Sequence, residues 1–338
     1  RIAANGSNGA YAVGTFSGSM DFAGTTMTAS GLDAFVAKYD AKGQELWARQ
    51  MGGALDDVAF SVAIDGLGRV HVGGFFRGTG TFGGATLIAT QDTTGFHATY
   101  DASGNFEWAV IAGGFNSNDG TAFLNTMTCD ALGNTIMAGS FDDTGTFGST
   151  TLTATAFDKL YLARFDVNGN CSWAHAMGAT YGNEPRQVAI TPSGNIYLYG
   201  GFWGANAVFG STTLANANVS NQDIFLALFD ANGSPQWARS VGSFFFNDFP
   251  ASLDVDDAGN AWVAGSISFD ALFGTLTLVG QGPFLAQYDE TGTALLALRP
   301  TTADIARHAL GTDGDHFICG NNHYAIFDMA SGVQVGAA

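Results

Sequence analysis

Short apolar runs recur along the chain, separated by turns rich in glycine and aspartate. Within one stretch four runs follow one another, at Val58–Ile64, Val70–Phe76, Phe96–Tyr100 and Phe106–Ile111. These runs are rich in valine, isoleucine, phenylalanine and tyrosine, which favour packed β-strands. Segments with the 3.6-residue period of an amphipathic helix are lacking. The pattern therefore predicts an all-β protein built from short strands.

The turns between the runs share one chemistry: an aspartate opens the turn and a glycine follows three residues later. The aspartate side chain accepts backbone N–H bonds, and the glycine supplies the left-handed conformation of a type I turn with a bulge. We therefore interpret these aspartates as hairpin residues. Between the third and fourth runs the turns are Asp40–Gly43, Asp101–Gly104, Asp166–Gly169 and Asp230–Gly233.

A longer repeat contains these runs. An aromatic residue followed by aspartate recurs, and the aspartates are 61, 65, 64, 59 and 39 residues apart. A tryptophan stands seven residues after the aspartate in four copies, and Leu296 takes that place in the fifth. Four strands repeated at this period are typical of a β-propeller, in which each repeat is one blade. The tryptophans are Trp47, Trp108, Trp173 and Trp237.

We predict a single β-propeller domain over residues 1–338, with six four-stranded antiparallel blades; a seven-bladed ring is the alternative. A blade cannot bury both faces alone, so its neighbours must cover them. Small residues in the second run, such as Gly73 and Gly74, are expected to let neighbouring blades approach closely. Blades 1 to 6 are predicted at about 1–53, 54–114, 115–178, 179–242, 243–300 and 301–338.

Charge and composition exclude several kinds of partner. Lysine plus arginine number 12 and aspartate plus glutamate 30, which gives a net charge of −18. Such a chain repels phosphate backbones and anionic lipids, so we expect no nucleic-acid partner. No apolar run approaches the roughly 20 residues that span a bilayer. Three cysteines without a C-x-x-C pair do not make a disulfide framework.

The order of motifs within a blade resembles a known family. A set of motifs recurs in order and at constant spacing over nearly the whole chain. The set is a double glycine, a double aspartate, a D-x-x-G turn, G-G-F, an FG-x-x-L element and a final Y-D followed by tryptophan. This combination resembles the bacterial β-propeller repeat (SBBP repeat) family. The resemblance implies a propeller fold and a secreted or cell-surface bacterial module, with no family catalytic residue. In blade 2 the motifs are Gly52-Gly53, Asp56-Asp57, Asp65–Gly68, Gly73–Phe75, Phe82-Gly83, Tyr100-Asp101 and Trp108.

An acidic residue precedes the first strand of five blades, at steps of 62, 65, 64 and 56 residues. Since the innermost strand of a blade lines the central channel, we expect these carboxylates to converge near one mouth. An oxygen-only, thiol-free set suits Ca²⁺, and we name no other cofactor. The alternative is that each carboxylate caps a local turn between blades. The five predicted metal ligands are Asp57, Asp119, Glu184, Asp248 and Asp304.

Aromatic residues outside the repeat positions are the predicted partner contacts. Trp203 lies among polar residues in a loop, where it suits sugar stacking or else fills a space between blades. The run Phe244, Phe245 and Phe246 is either a buried plug or an exposed contact patch. The scattered histidines lack metal-ligand spacing, and His71 and His97 are interpreted as residues of strand faces.

The expected function is not enzymatic, because no nucleophile motif or phosphate-binding loop is present. We predict a secreted or cell-surface bacterial propeller that acts as a binding or structural module, adhesin-like or a subunit of a surface assembly. Its expected partners are a protein or glycan at the cell surface, or further copies of itself. The alternatives are a lectin-like glycan-binding propeller and a divalent-metal-dependent propeller lyase or hydrolase.

Overall fold

The computed structural model describes residues 1–4, 9–90, 93–116, 123–154, 159–216, 218–243, 245–299, 316–320, 324–328 and 334–337. These residues form strands and turns without a helix, which confirms the predicted all-β class. The chain divides into two compact units, residues 1–176 and 177–338. The prediction of one six-bladed domain stays a prediction.

The strands of the first unit pair antiparallel and follow one another in the order predicted for blades 1 to 3. In blade 1 the strands are β1 (Ile2–Ala4), β2 (Ala10–Phe22), β3 (Thr25–Tyr39) and β4 (Glu45–Gly53). In blade 2 they are β5 (Val58–Ile64), β6 (Val70–Phe76), β7 (Thr79–Phe82), β8 (Ala85–Ile88), β9 (Thr93–Tyr100) and β10 (Phe106–Asn116). In blade 3 they are β11 (Phe123–Cys129), β12 (Thr135–Phe141), β13 (Thr144–Phe147), β14 (Thr150–Thr153), β15 (Lys159–Phe165) and the start of β16 (Cys171–Ile190).

The second unit continues the pattern. Blade 4 holds the remainder of β16, β17 (Ile196–Phe209), β18 (Thr212–Ala215), β19 (Asp223–Phe229) and β20 (Pro235–Val241). Blade 5 holds β21 (Phe249–Val255), β22 (Ala261–Ile267), β23 (Ala271–Phe273), β24 (Leu276–Leu278), β25 (Gly282–Tyr288) and β26 (Ala294–Leu298). The described part of blade 6 is β27 (His316–Gly320), β28 (Tyr324–Asp328) and β29 (Gln334–Ala337).

The predicted runs fit the strands of blade 2 closely. The first two coincide with β5 and β6, whereas the third and fourth extend further, as β9 and β10. Gly73 behaves as predicted, because a Cβ there would stand 2.5 Å from Leu124 Cδ2 of the next blade. The small residue thus permits the close approach of blades 2 and 3.

The FG-x-x-L element forms a hairpin that pairs with the blade before its own. In blade 2 this hairpin is β7–β8, and β7 pairs with β4 of blade 1 through Met51 opposite Phe82. In the same way β13 of blade 3 pairs with β10 of blade 2. The hairpin occupies the backbone edge that the outer strand would otherwise expose.

In blades 1, 2 and 4 the repeat tryptophan lies on the D-x-x-G turn of the next blade. In unit 1 the Trp47 indole Nε1 donates to the Ala102 carbonyl at 3.3 Å, and Arg49 Nε donates to the Gly104 carbonyl at 2.7 Å. Gly104 has φ +80°, and a Cβ there would stand 2.6 Å from the Trp47 ring. The turn therefore needs glycine both for its backbone angle and for the indole that covers it.

The same arrangement, which we call the tryptophan clamp, recurs between blades 4 and 5. Trp237 Nε1 donates to the Glu290 carbonyl at 2.8 Å, and Arg239 Nε donates to the Gly292 carbonyl at 3.1 Å. A Cβ on Gly292 would stand 2.8 Å from the indole. Trp108 lies equally close to Gly169 between blades 2 and 3. At Trp47, Trp108 and Trp237 the seven-residue spacing from aspartate to tryptophan thus places the indole over the following turn.

Replacing Trp237 with alanine is expected to lower the free energy of unfolding by about 3–5 kcal/mol, because a buried indole and its hydrogen bond are lost together. The measurement is chemical denaturation followed by circular dichroism. Trp203→Ala is the matched control, since Trp203 is only partly buried and stands outside the clamp. Equal losses in the two variants would contradict the clamp.

Candidate functional site

The hairpin between β16 and β17 presents two aromatic residues in cross-strand register. Tyr181 is opposite Trp203. A Cβ on Gly182 would stand 3.1 Å from Trp203 Cε3, and one on Gly204 would stand 3.2 Å from Tyr181 Cβ. The Trp203 ring therefore lies beside Gly182 of the facing strand, and the Cβ of Tyr181 lies beside Gly204. Trp203 is half-buried and Tyr181 is 64% exposed, so the pair forms a partly open aromatic surface.

Four exposed phenylalanines lie at one end of the β21–β22 hairpin. Phe245 and Phe246 are 57% and 64% exposed in the loop before β21, which favours a contact patch over a buried plug. Phe249 begins β21 and Phe269 follows β22, so the antiparallel pairing brings them to the same end. The rings of Phe245 and Phe269 meet edge to face with centroids 5.4 Å apart. We call these four residues the phenylalanine patch.

Phe244, the first residue of the predicted run, lies outside the described residues. Phe249 and Phe269 were not predicted as contacts. The sequence carried one signal for Phe249, since it directly follows the acidic position Asp248. Only the β21–β22 pairing brings Phe269 to the loop.

Gln222 links the loop of the phenylalanine patch to β16, the first strand of the Tyr181–Trp203 hairpin. Its backbone N–H donates to Asn247 Oδ1 at 2.8 Å, and its carbonyl accepts from the Asp248 N–H at 2.9 Å. Its side-chain Nε2 donates to Glu184 Oε2 at 3.1 Å. Trp203 lies within strand β17 and not in the predicted loop, because it pairs with Tyr181 of β16. Glu184 stands opposite Gly201, two residues before Trp203, so Gln222 links the strand pair that carries Trp203 to the loop that carries Phe245 and Phe246.

Asp248 is buried and fixes the position of this loop through hydrogen bonds. Its buried carboxylate accepts the Ser243 N–H at 2.5 Å and the Ser268 N–H at 2.6 Å, together with the Ser243 hydroxyl. Burial raises the pKa of Asp248, and these hydrogen bonds act in the opposite direction. The Asp248 carboxylate thus binds Ser243, which precedes Phe245 and Phe246, and Ser268, which follows β22.

Asp57 has the same role between blades 1 and 2. It is fully buried, and its carboxylate accepts the Gly53 N–H at 2.6 Å and the Arg77 N–H at 3.2 Å. Burial raises the pKa of Asp57 to about 6; the two backbone donors lower it, and nearby Asp33 raises it further. Asp57 and Asp248 therefore have the local capping contacts of the alternative interpretation.

Of the other three predicted metal ligands, the structure describes only Glu184. Glu184 is half-buried and accepts from Gln222, while Asp119 and Asp304 lie outside the described residues. In the part of the chain that the structure describes, no three histidine, cysteine, aspartate or glutamate side chains are grouped to hold a metal ion. The Ca²⁺ site stays a prediction.

A buried histidine pair lies in blade 2. His71 Nε2 is 3.3 Å from Asp65 Oδ2, and His71 Nδ1 is 3.2 Å from His97 Nε2 and 3.1 Å from Thr99 Oγ1. In the neutral tautomer with its proton on Nε2, His71 donates to Asp65, and the single Nδ1 lone pair accepts from either His97 Nε2 or the Thr99 hydroxyl. Both histidines are fully buried, which confirms their assignment to strand faces. Burial lowers the pKa of each.

A cleft of about 510 Å³ in unit 1 is lined by Lys38, Leu46, Asp65 and Leu67 among others. Lys38 Nζ donates to the Ala102 carbonyl at 2.7 Å and lies 5.3 Å from the Tyr11 ring centre. Asp65 is buried and bonded to Arg69 at 2.6 Å. The charged groups of this cleft therefore already have partners within the protein.

Comparison with known proteins relates this architecture to the propellers. No family model matches the sequence. A 121-residue stretch, 33% of the chain, is 26% identical to an uncharacterized WD repeat-containing protein of Acanthamoeba polyphaga mimivirus, and spans 8% of that protein. The solved Pan2 WD40 domain of Neurospora crassa matches over 97% of this chain and 75% of the domain, with a TM-score of 0.52 and 11% identity. The fold is that of a β-propeller.

Two further solved structures align over most of the chain at lower similarity. A protein of unknown function from Bacteroides caccae has a TM-score of 0.48 and 10% identity, over 96% of this chain and 92% of that one. BamB from Moraxella catarrhalis has a TM-score of 0.47 and 15% identity, over 100% of this chain and 72% of that one. A propeller fold does not itself specify a function.

The histidine pair predicts a loss of stability in mild acid. Histidines of the unfolded chain take up protons near pH 6.5, whereas the buried pair resists protonation. The contribution of the pair to the free energy of unfolding is therefore fully present above that pH and decreases as the pH falls below it. His97→Phe should reduce the slope of unfolding free energy against pH between about 6.5 and 5 by up to one proton. Exposed His175→Gln is the control and should leave the slope unchanged. An unchanged slope in His97→Phe would refute this account.

The calcium prediction is tested by melting temperature in EDTA and across a Ca²⁺ titration, with Mg²⁺ as the control. An ion that binds only the folded chain raises stability by about 2.7 kcal/mol at a hundredfold excess over Kd. The predicted Ca²⁺ site requires a saturable Ca²⁺-specific rise that is lost in Asp57→Asn combined with Asp119→Asn, whereas the capping contacts of Asp57 require none. A melting temperature insensitive to Ca²⁺ would contradict the prediction and leave Asp57 as a turn cap.

Proposed function

We propose that this propeller is a non-enzymatic binding module that recognises its partner through the exposed aromatic residues of unit 2. The observation that carries the proposal is the exposure of Phe245 and Phe246 on a loop fixed at both ends by Asp248. Large apolar side chains held in water on an ordered loop are characteristic of interaction surfaces. Recognition loops on a rigid scaffold can vary while the core is kept.

The carboxylates favour binding over catalysis. A general base needs an oxygen that can reach a substrate proton. Both oxygens of Asp57 and of Asp248 instead accept hydrogen bonds from the backbone. The divalent-metal-dependent lyase or hydrolase is thus the weaker proposal for this chain.

A secreted or cell-surface location in a bacterium is part of the proposal and is supported by the resemblance of the repeats to the SBBP family. The module would act there as an adhesin-like protein or as a subunit of a surface assembly. The described residues include no helix that is long and apolar enough to cross a membrane.

Glycan binding is the second candidate, and the Tyr181–Trp203 pair favours it. Two partly open rings stand in cross-strand register, and the carboxylate of Glu184 lies on the same hairpin. An apolar ring face beside polar oxygens is the usual composition of a sugar subsite. This candidate predicts that binding depends on Trp203, whereas a protein partner would depend on the phenylalanine patch.

We expect the purified, fluorescently labelled chain to bind intact bacterial cells saturably, as measured by flow cytometry. The Phe245→Ser, Phe246→Ser double variant should weaken binding at least about tenfold, because losing about 1.4 kcal/mol of contact energy has that effect. Leu132→Ser is the control, since Leu132 is 72% exposed in unit 1. A glycan array probed with Trp203→Ala tests the second candidate. Non-saturable binding, or equal losses in the Phe and Leu132 variants, would contradict the proposal.

A further inference from the structure

Asparagine stands directly before the left-handed glycine in two of the D-x-x-G turns. The pairs are Asn168–Gly169 in blade 3 and Asn232–Gly233 in blade 4. Other turns carry Lys42, Ser103 or Thr291 at this position. Asparagine is a thermolabile residue, and it is most prone to lose its amide when glycine follows, because the glycine nitrogen has no neighbouring side chain to hinder its attack.

Deamidation of such a pair needs only the chain and water. The Gly169 nitrogen bonds to Cγ of Asn168 and loses its proton, the bond from Cγ to the amide nitrogen breaks, and that nitrogen leaves as ammonia. The succinimide ring that results takes up a water molecule at either of its carbonyls. One opening gives aspartate, and the other gives isoaspartate, whose backbone is longer by a methylene group. Isoaspartate therefore changes the geometry of the turn, whereas aspartate changes only its charge.

The folded turn opposes this attack. The Gly169 N–H donates to the Asp166 carbonyl at 2.9 Å, and the Asn168 N–H donates to Asp166 Oδ1 at 2.9 Å. Gly169 has φ +81°, and a Cβ on it would stand 2.8 Å from Trp108 Cζ3. To attack, the glycine nitrogen must give up its hydrogen bond, and the peptide must rotate beside the indole. The turn must therefore open before the reaction can occur.

The two partners of the reaction differ in exposure. The side chain of Asn168 is exposed, whereas Gly169 is buried. Water therefore reaches the amide, and the glycine nitrogen is the protected partner. Local opening of a turn costs less free energy than global unfolding, so the rate of deamidation follows the fraction of chains in which this turn is open.

We propose that Asn168–Gly169 is a site of spontaneous deamidation whose rate is set by the Trp108 indole of the preceding blade. The indole keeps the turn closed and so suppresses the reaction. Once isoaspartate has formed, its additional methylene group displaces Gly169 from its place beside the indole. The modification thus converts a transient opening between blades 2 and 3 into a lasting one. This inference is independent of the proposed binding function.

The test is incubation of the full chain at mildly alkaline pH, with deamidation at each asparagine followed by peptide mass spectrometry. Trp108→Ala should accelerate deamidation of Asn168 about tenfold, because losing about 1.4 kcal/mol of turn stability raises the open fraction by that factor. Trp47→Ala is the matched control, since Trp47 covers Gly104 in another turn and its loss should leave the rate at Asn168 unchanged. Asn232 should deamidate at one rate in all three chains.

A second measurement does not depend on the folding of Trp108→Ala. In the parent chain, Asn168 should deamidate at least about tenfold more slowly under native conditions than in guanidinium chloride, because unfolding frees the Gly169 nitrogen. Asn168→Ser copies the turn that contains Ser103, and it should lose less melting temperature on incubation than the parent chain. Asn168→Asp has the new charge on an ordinary backbone and should melt as the fresh parent chain does.

Equal rates at Asn168 in the parent chain and in Trp108→Ala would overturn the inference. Equal acceleration by Trp108→Ala and Trp47→Ala would do the same, since it would show general destabilisation and not control by the Trp108 indole. Equal rates in the native and the unfolded parent chain would show that the turn gives no protection.

Discussion

A four-stranded blade has two apolar faces and an open outer edge, so it is stable only when neighbours cover it. In this chain the tryptophan clamp provides much of that cover. The indole of one blade lies on the turn of the next, and its N–H donates to a carbonyl of that turn. Glycine is required there, because any side chain would occupy the space of the ring. The clamp explains why aspartate, glycine and tryptophan recur together.

The candidate site depends on the same scaffold. Because strands and turns of blades 4 and 5 are held by Trp237 and Arg239, the loops at the end of these blades have fixed positions. Asp248 then joins the two sides of the phenylalanine loop, and Gln222 connects that loop to Glu184. Exposed phenylalanines on such a loop are preorganised, which reduces the entropy lost on binding a partner.

The sequence predicted the strand class, the strands β5 and β6 and the turn role of the aspartates, because these follow from local periodicity and turn chemistry. It did not predict that the FG-x-x-L hairpin pairs with the preceding blade, since such pairing is a contact between distant residues. It also left two roles open for Asp57, that of a metal ligand and that of a turn cap. Only tertiary structure shows which N–H groups face its oxygens. The histidine pair was hidden for the same reason, because His71 and His97 lie on neighbouring strands 26 residues apart.

The interpretation depends most on the tryptophan clamp, and native-state hydrogen exchange tests it directly. In Trp237→Ala, amide exchange should accelerate in the turn at Asp289–Gly292 and in β25, while the turn at Asp101–Gly104, held by Trp47, keeps its protection. Acceleration confined to Asp289–Gly292 and β25 would localise the stabilising contact to the Trp237 indole. Unchanged exchange at Asp289–Gly292, or equal acceleration in both turns, would contradict the clamp as the contact that joins neighbouring blades.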